Sequence, residues 1–101
     1  MSKFQKLPLH DGILKSIEVN WENGTAEFCI NVFSKKGEDA QPHILIFQNI
    51  ASVEIPRRTP WGFSNQINRA QKNQDEFQIE MQSGDTFRIT AAGFSFKPSA
   101  S

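Results

Sequence analysis

The sequence predicts an all-β domain, a single antiparallel sheet of about six strands arranged as a curled sheet or a small half-open barrel or sandwich. Three observations lead there. Apolar and polar residues alternate over Ile17-Glu18-Val19-Asn20-Trp21 and again from Ala26 to Val32, the period-two signature of strands with one buried face. Turn-forming residues stand between extended runs at Asn23-Gly24 and at Gln82-Ser83-Gly84. The run His43-Ile44-Leu45-Ile46-Phe47 is short, continuous and rich in β-branched residues, as in a strand covered on both faces.

With 101 residues the chain is read as one domain, 1–101, able to bury roughly two-thirds of its unfolded surface without metals or disulfides. Eleven basic residues balance eleven acidic ones, so no overall field draws the protein to nucleic acid or to an anionic membrane. Cys29 is alone and cannot form an intramolecular disulfide, which fits a reducing compartment. The first residues, Met1-Ser2-Lys3-Phe4-Gln5-Lys6, lack the apolar run of a secretion signal, and no stretch approaches the ~20 apolar residues of a membrane span. The expected location is the cytoplasm. Nine Phe and no Tyr suit the filling of a core.

Taken along the chain, residues 1–8 and 97–101 are expected to be flexible ends. Leu9-His10-Asp11-Gly12 reads as an Asx-type turn into the first strand. His10 and Asp11, adjacent on extended chain, would point to opposite faces and so would not converge on a metal ion. A two-residue turn at Asn23-Gly24 places Trp21 opposite Ala26, Val19 opposite Phe28 and Ile17 opposite Ile30, all on one face. Cys29 then falls on the less buried face with no base beside it, a poor nucleophile.

Lys35 to Pro42 reads as a charged, mobile surface loop, and His43 to Phe47 as a central strand that continues through Ile50, Val53 and Ile55 until Pro56 stops it. Residues 68–76, almost without apolar content, are either an edge strand or a short exposed helix. A three-residue loop with Gly84 in a left-handed conformation sets Ile79 opposite Phe87 and Phe77 opposite Ile89. Phe94 and Phe96 are spaced for one more extended segment.

Neither periodicity nor simple solubility accounts for Pro56 to Asn68. Pro56 and Pro60 fix φ, remove two donors and extend the residues before them, so the stretch is a rigid bend. Gly62 relaxes the backbone beside Trp61 and Phe63, while Ser64, Asn65, Gln66 and Asn68 supply hydrogen-bonding side chains. Two readings stand. In one, Arg57, Arg58, Trp61, Phe63, Asn65 and Asn68 form a recognition surface on a loop held by a rigid frame. In the other, Trp61 and Phe63 tuck under the loop as a lid on the core, and the polar residues satisfy its backbone.

Leu9-His10-Asp11-Gly12, Pro56-Arg57, Pro60-Trp61-Gly62, Ser64, Ile67-Asn68 and Ile79-Glu80-Met81-Gln82-Ser83-Gly84-Asp85 together resemble a family of short bacterial proteins of unknown function. That resemblance implies a bacterial origin and no activity, cofactor or substrate. The opening His10-Asp11 with the hairpin after it is more weakly similar to immunity proteins of bacterial toxin systems.

For an enzyme, the chain lacks a glycine-rich phosphate loop, a nucleophile elbow, a paired-cysteine site and the zinc-helix pattern. The reading is a non-enzymatic binding module without cofactor or metal, recognising a partner of unknown identity, another protein or a second copy of itself, through the Arg57–Asn68 loop. The alternatives are a structural subunit that self-associates and a binder of a small apolar ligand.

Overall fold

Alternation in the sequence becomes alternation in burial. In strand β2 (Thr25–Val32) Ala26, Phe28, Ile30 and Val32 are buried while the residues between them are half-exposed. Strand β5 (Glu76–Met81) does the same with Phe77, Ile79 and Met81, and β6 (Thr86–Pro98) with Phe87, Ile89 and Ala91. The remaining strands are β1 (Ile13–Asn20), β3 (Gln41–Glu54) and β4 (Ile67–Asn73). The structure, a computed structural model, describes residues 3–33, 37 and 39–99.

The six strands form one antiparallel sheet in the order β1-β2-β3-β6-β5-β4. Its long centre is the pairing of β3 with β6. The two edge strands meet at one end, where Ile13 bridges Gln66 and the N–H groups of Leu14 and Ile67 donate to the carbonyls of Asn65 (2.8 Å) and Gly12 (2.9 Å). The sheet is therefore curled, its edges tied at this one end, and is not closed into a barrel.

Aromatic rings fill the curl. Phe47 lies between Phe28 and Phe77 at centroid separations of 5.4 and 5.0 Å. Phe4 is also fully buried, on a 3₁₀ helix over Lys3–Lys6, 4.9 Å from Phe77, 5.3 Å from Phe94 and 5.9 Å from Phe47. This corrects the expectation of a flexible start for the described part of 1–8: a large ring four residues in finds more apolar surface in the core than solvent offers it. The described part of 97–101 needs the same correction, because β6 runs to Pro98 and Ser99 N–H donates to Pro42 O at 2.9 Å.

The second hairpin has the predicted register, Ile79 opposite Phe87 and Phe77 opposite Ile89, with Gly84 at φ 93°. The first does not. Val19 pairs with Ala26 and Ile17 with Phe28, a slip of two residues that keeps these side chains on their predicted face, and past the bulge between Leu14 and Ser16 the slip becomes three, pairing Leu14 with Ile30. Asn20 causes it. Its Oδ1 accepts Asn23 N–H at 2.9 Å and its carbonyl accepts Gly24 N–H at 3.0 Å, so the turn spans the four residues from Trp21 to Gly24. Trp21 is consequently 91% exposed and does not sit over Ala26.

Residues 67–73 are an edge strand, not a helix, and Phe94 and Phe96 continue the strand that holds Phe87. The strand through His43–Phe47 is central, but only Leu45 and Phe47 are buried; Ile44 and Ile46, on the other face, are half-buried. Lys35, Lys36 and Glu38 of the predicted surface loop lie outside the described residues.

Candidate functional site

The segment after β3 is held by the β5–β6 hairpin. The buried carboxylate of Asp85 accepts the backbone N–H groups of Arg58 (Oδ1) and Thr59 (Oδ2), each at 2.9 Å, and the Ser83 hydroxyl at 2.9 Å. Trp61 N–H donates to Ser83 O at 3.0 Å, and Gln82 N–H to Gln66 O at 2.9 Å. These bonds replace a regular ladder in a segment where Pro56 and Pro60 have no N–H to give. They also hold Thr59, a β-branched residue, at φ 47°, a conformation such side chains rarely adopt.

Burial by itself raises the pKa of Asp85. The two backbone donors, the Ser83 hydroxyl and the nearby Arg58 charge outweigh it, so the carboxyl lies below its ordinary value and stays ionised.

The rings held by this anchor face outward. Trp61 is 74% exposed and Phe63 68%, which overturns the lid reading of these two side chains. Glycine at position 84 is what allows the loop to lie against the hairpin, because a Cβ there would come 2.8 Å from both Pro60 Cγ and Trp61 Cδ2. The Arg57 guanidinium stands 5.2 Å from the Phe63 centroid, a cation–π arrangement.

Between this loop and β1 lies a cleft of about 360 Å³. Leu14, Ile17, Ile55, Phe63, Met81 and Phe87 give it an apolar lining, and Lys15 and Arg57 bring positive charge. Lys15 is the extra residue of a β-bulge: Leu14 pairs with Ile30, Ser16 with Cys29, and Lys15 has no partner between them.

Of the six residues assigned from sequence, Arg57, Phe63 and Asn65 line this cleft, and Arg58 and Trp61 lie on the same loop outside its lining. Arg58 is exposed, its backbone N–H bonds Asp85 and its charge favours the ionised carboxylate. Asn68 belongs elsewhere. As the unpaired residue of a bulge in β4, it donates from Nδ2 to Glu80 Oε1 at 2.6 Å and accepts His10 Nδ1–H on its carbonyl at 2.6 Å.

His10 and Asp11 do converge, contrary to the extended-chain expectation. Asp11 adopts φ 64°, which turns its carboxylate back to within 3.5 Å of His10 Nε2. Both side chains are exposed, and Asp11 Oδ1 also accepts Gln82 Nε2–H at 2.8 Å, so the pair ties the first turn to β4 and the hairpin. Among the described residues no three His, Cys, Asp or Glu side chains gather as metal ligands.

Asp85, Ser83 and Lys15 are the residues that sequence reasoning assigned no part. An Asp after Ser-Gly reads as an ordinary turn residue, and its partners lie more than two dozen positions upstream. Lys15 looks like any solvated strand residue until the cleft is seen.

Neither a protein-family model nor a curated protein matches the sequence. The fold is similar to the crystal structure of an uncharacterized protein from Neisseria gonorrhoeae, with a TM-score of 0.54 and 17% identity over 89% of this chain and 93% of that one. At that identity the likeness is one of fold. No helix among the described residues is long and apolar enough to cross a membrane.

Proposed function

We propose that the protein is a non-enzymatic binding module of the bacterial cytoplasm that recognises another protein through the loop beginning at Arg57. One observation carries this reading: two large rings, Trp61 and Phe63, stand in solvent on a segment pinned in one conformation by Asp85. Exposed rings gain about 25 cal/mol for each Å² they bury against a partner, and a loop ordered beforehand loses little entropy on docking. Trp and Arg are also the side chains most often found at the energetic centre of protein interfaces. The zero net charge and the lone Cys29 support the cytoplasmic part of the proposal, and the motifs of the sequence together with the source of the fold neighbour support a bacterial one.

The test is affinity capture from a bacterial lysate with wild type and with a Trp61→Ala/Phe63→Ala double variant, circular dichroism checking the fold of each. A partner held by wild type is lost from the folded variant. Should the variant keep every partner, or wild type hold none, the reading fails.

A further inference from the structure

The cleft beside the loop has a composition that protein recognition by exposed rings does not use. Its walls are aliphatic and aromatic, while its two cations are without carboxylate partners: Arg69 pairs with Glu80 and Arg88 with Glu76, yet neither Arg57 nor Lys15 has an ion pair among the described residues. The one acid in the lining, Asp85, has its oxygens engaged by Arg58 N–H, Thr59 N–H and the Ser83 hydroxyl. Two cations against this one carboxylate leave the lining with a net positive charge. Arg57 is already steadied over the Phe63 ring, so its fork is oriented before anything binds. A volume near 360 Å³ falls in the lower part of the range of small-molecule sites, which runs from about 300 to about 1,000 Å³.

We propose that this cleft binds a small monoanionic amphiphile, its apolar body between Leu14 and Ile17 on one side and Ile55 and Phe63 on the other, and its carboxylate against Arg57 and Lys15. The proposal extends the function given above; the two share Arg57 and Phe63, while Trp61, outside the cleft lining, belongs to protein recognition alone.

Titration calorimetry on the full chain, with decanoate and decyltrimethylammonium as probes, provides the test. Decanoate saturates at one per chain below its micelle concentration, and the cationic probe of the same chain length binds about tenfold more weakly or worse. Arg57→Glu and, separately, Lys15→Glu each weaken decanoate by about tenfold, while Trp21→Ser at the far hairpin tip leaves it unchanged. Both charge reversals are at exposed positions, so folded variants are obtained for the comparison. Equal binding of the two probes, no saturable decanoate binding, or charge reversals without effect would overturn the proposal. If wild type captures a protein partner yet ignores decanoate, this inference fails alone; if it binds decanoate and captures nothing, the protein-recognition reading fails alone.

Discussion

The Asp85 carboxylate accepts the backbone N–H of Thr59 at 2.9 Å across 26 residues of chain, and with the matching bond to Arg58 N–H it fixes the shape of the loop that carries Trp61 and Phe63. Asp85→Ala leaves two backbone donors and the Ser83 hydroxyl without their acceptor. It is expected to lower Tm by several degrees. The expected signature depends on pH. Folding lowers this carboxyl below its ordinary 3.8, so its contribution is fully present above that value and is lost as pH falls through the folded-state pKa. The Tm gap between wild type and Asp85→Ala should hold steady near neutrality and shrink in acid below pH 3.8; parallel acid profiles would rule the anchor out.

Gly84→Ala tests the fit between loop and hairpin. The new methyl would sit 2.8 Å from Pro60 Cγ and from Trp61 Cδ2, at a φ of 93° that alanine rarely takes. A loss of more than about 1 kcal/mol is expected, together with a shift in Trp61 emission read in a Trp21→Phe background. Unchanged emission and stability would mean that the loop does not rest on this glycine.

Phe4→Ala should behave as a core mutation in spite of its place near the start of the chain. The ring is fully buried among Phe47, Phe77 and Phe94, and its removal should cost about 3–5 kcal/mol in urea unfolding. An unchanged urea midpoint would show that the 3₁₀ helix does not plug the sheet.

Trp21→Ser distinguishes two registers of the first hairpin. At 91% exposure the change should stay within about 0.5 kcal/mol. A loss of about 3 kcal/mol or more would instead place Trp21 over Ala26, where the two-residue turn would have put it.

The hairpins show why one register was readable and the other was not. The loop at Gln82-Ser83-Gly84 needs a left-handed residue at one position, Gly84 supplies it at φ 93°, and the pairing follows. Asn23-Gly24 carries an equally strong local signal, but the Asn20 side chain captures Asn23 N–H and lengthens the turn. A slip of two leaves every apolar residue on its face, so alternation has no means of detecting it. The candidate site divides in a similar way. Loop composition pointed to Arg57 and Phe63, which do meet, and also to Asn68, whose side chain is taken up by Glu80. Nothing local marks Asp85 as the loop's anchor or Lys15 as a wall of the cleft.

From the amino-acid order alone came the inward side of most strands and the places where the chain reverses, because side-chain period and turn conformation are properties of neighbouring residues. Folding settled the rest: that Phe4 enters the core, that Ile13 of β1 bridges Gln66 just ahead of β4, and that Trp61 and Phe63 stay in solvent on a loop tied to Asp85. Each of these depends on segments far apart in the chain finding one another, and the balance of burial and hydrogen bonding that joins them exists only once the sheet has curled.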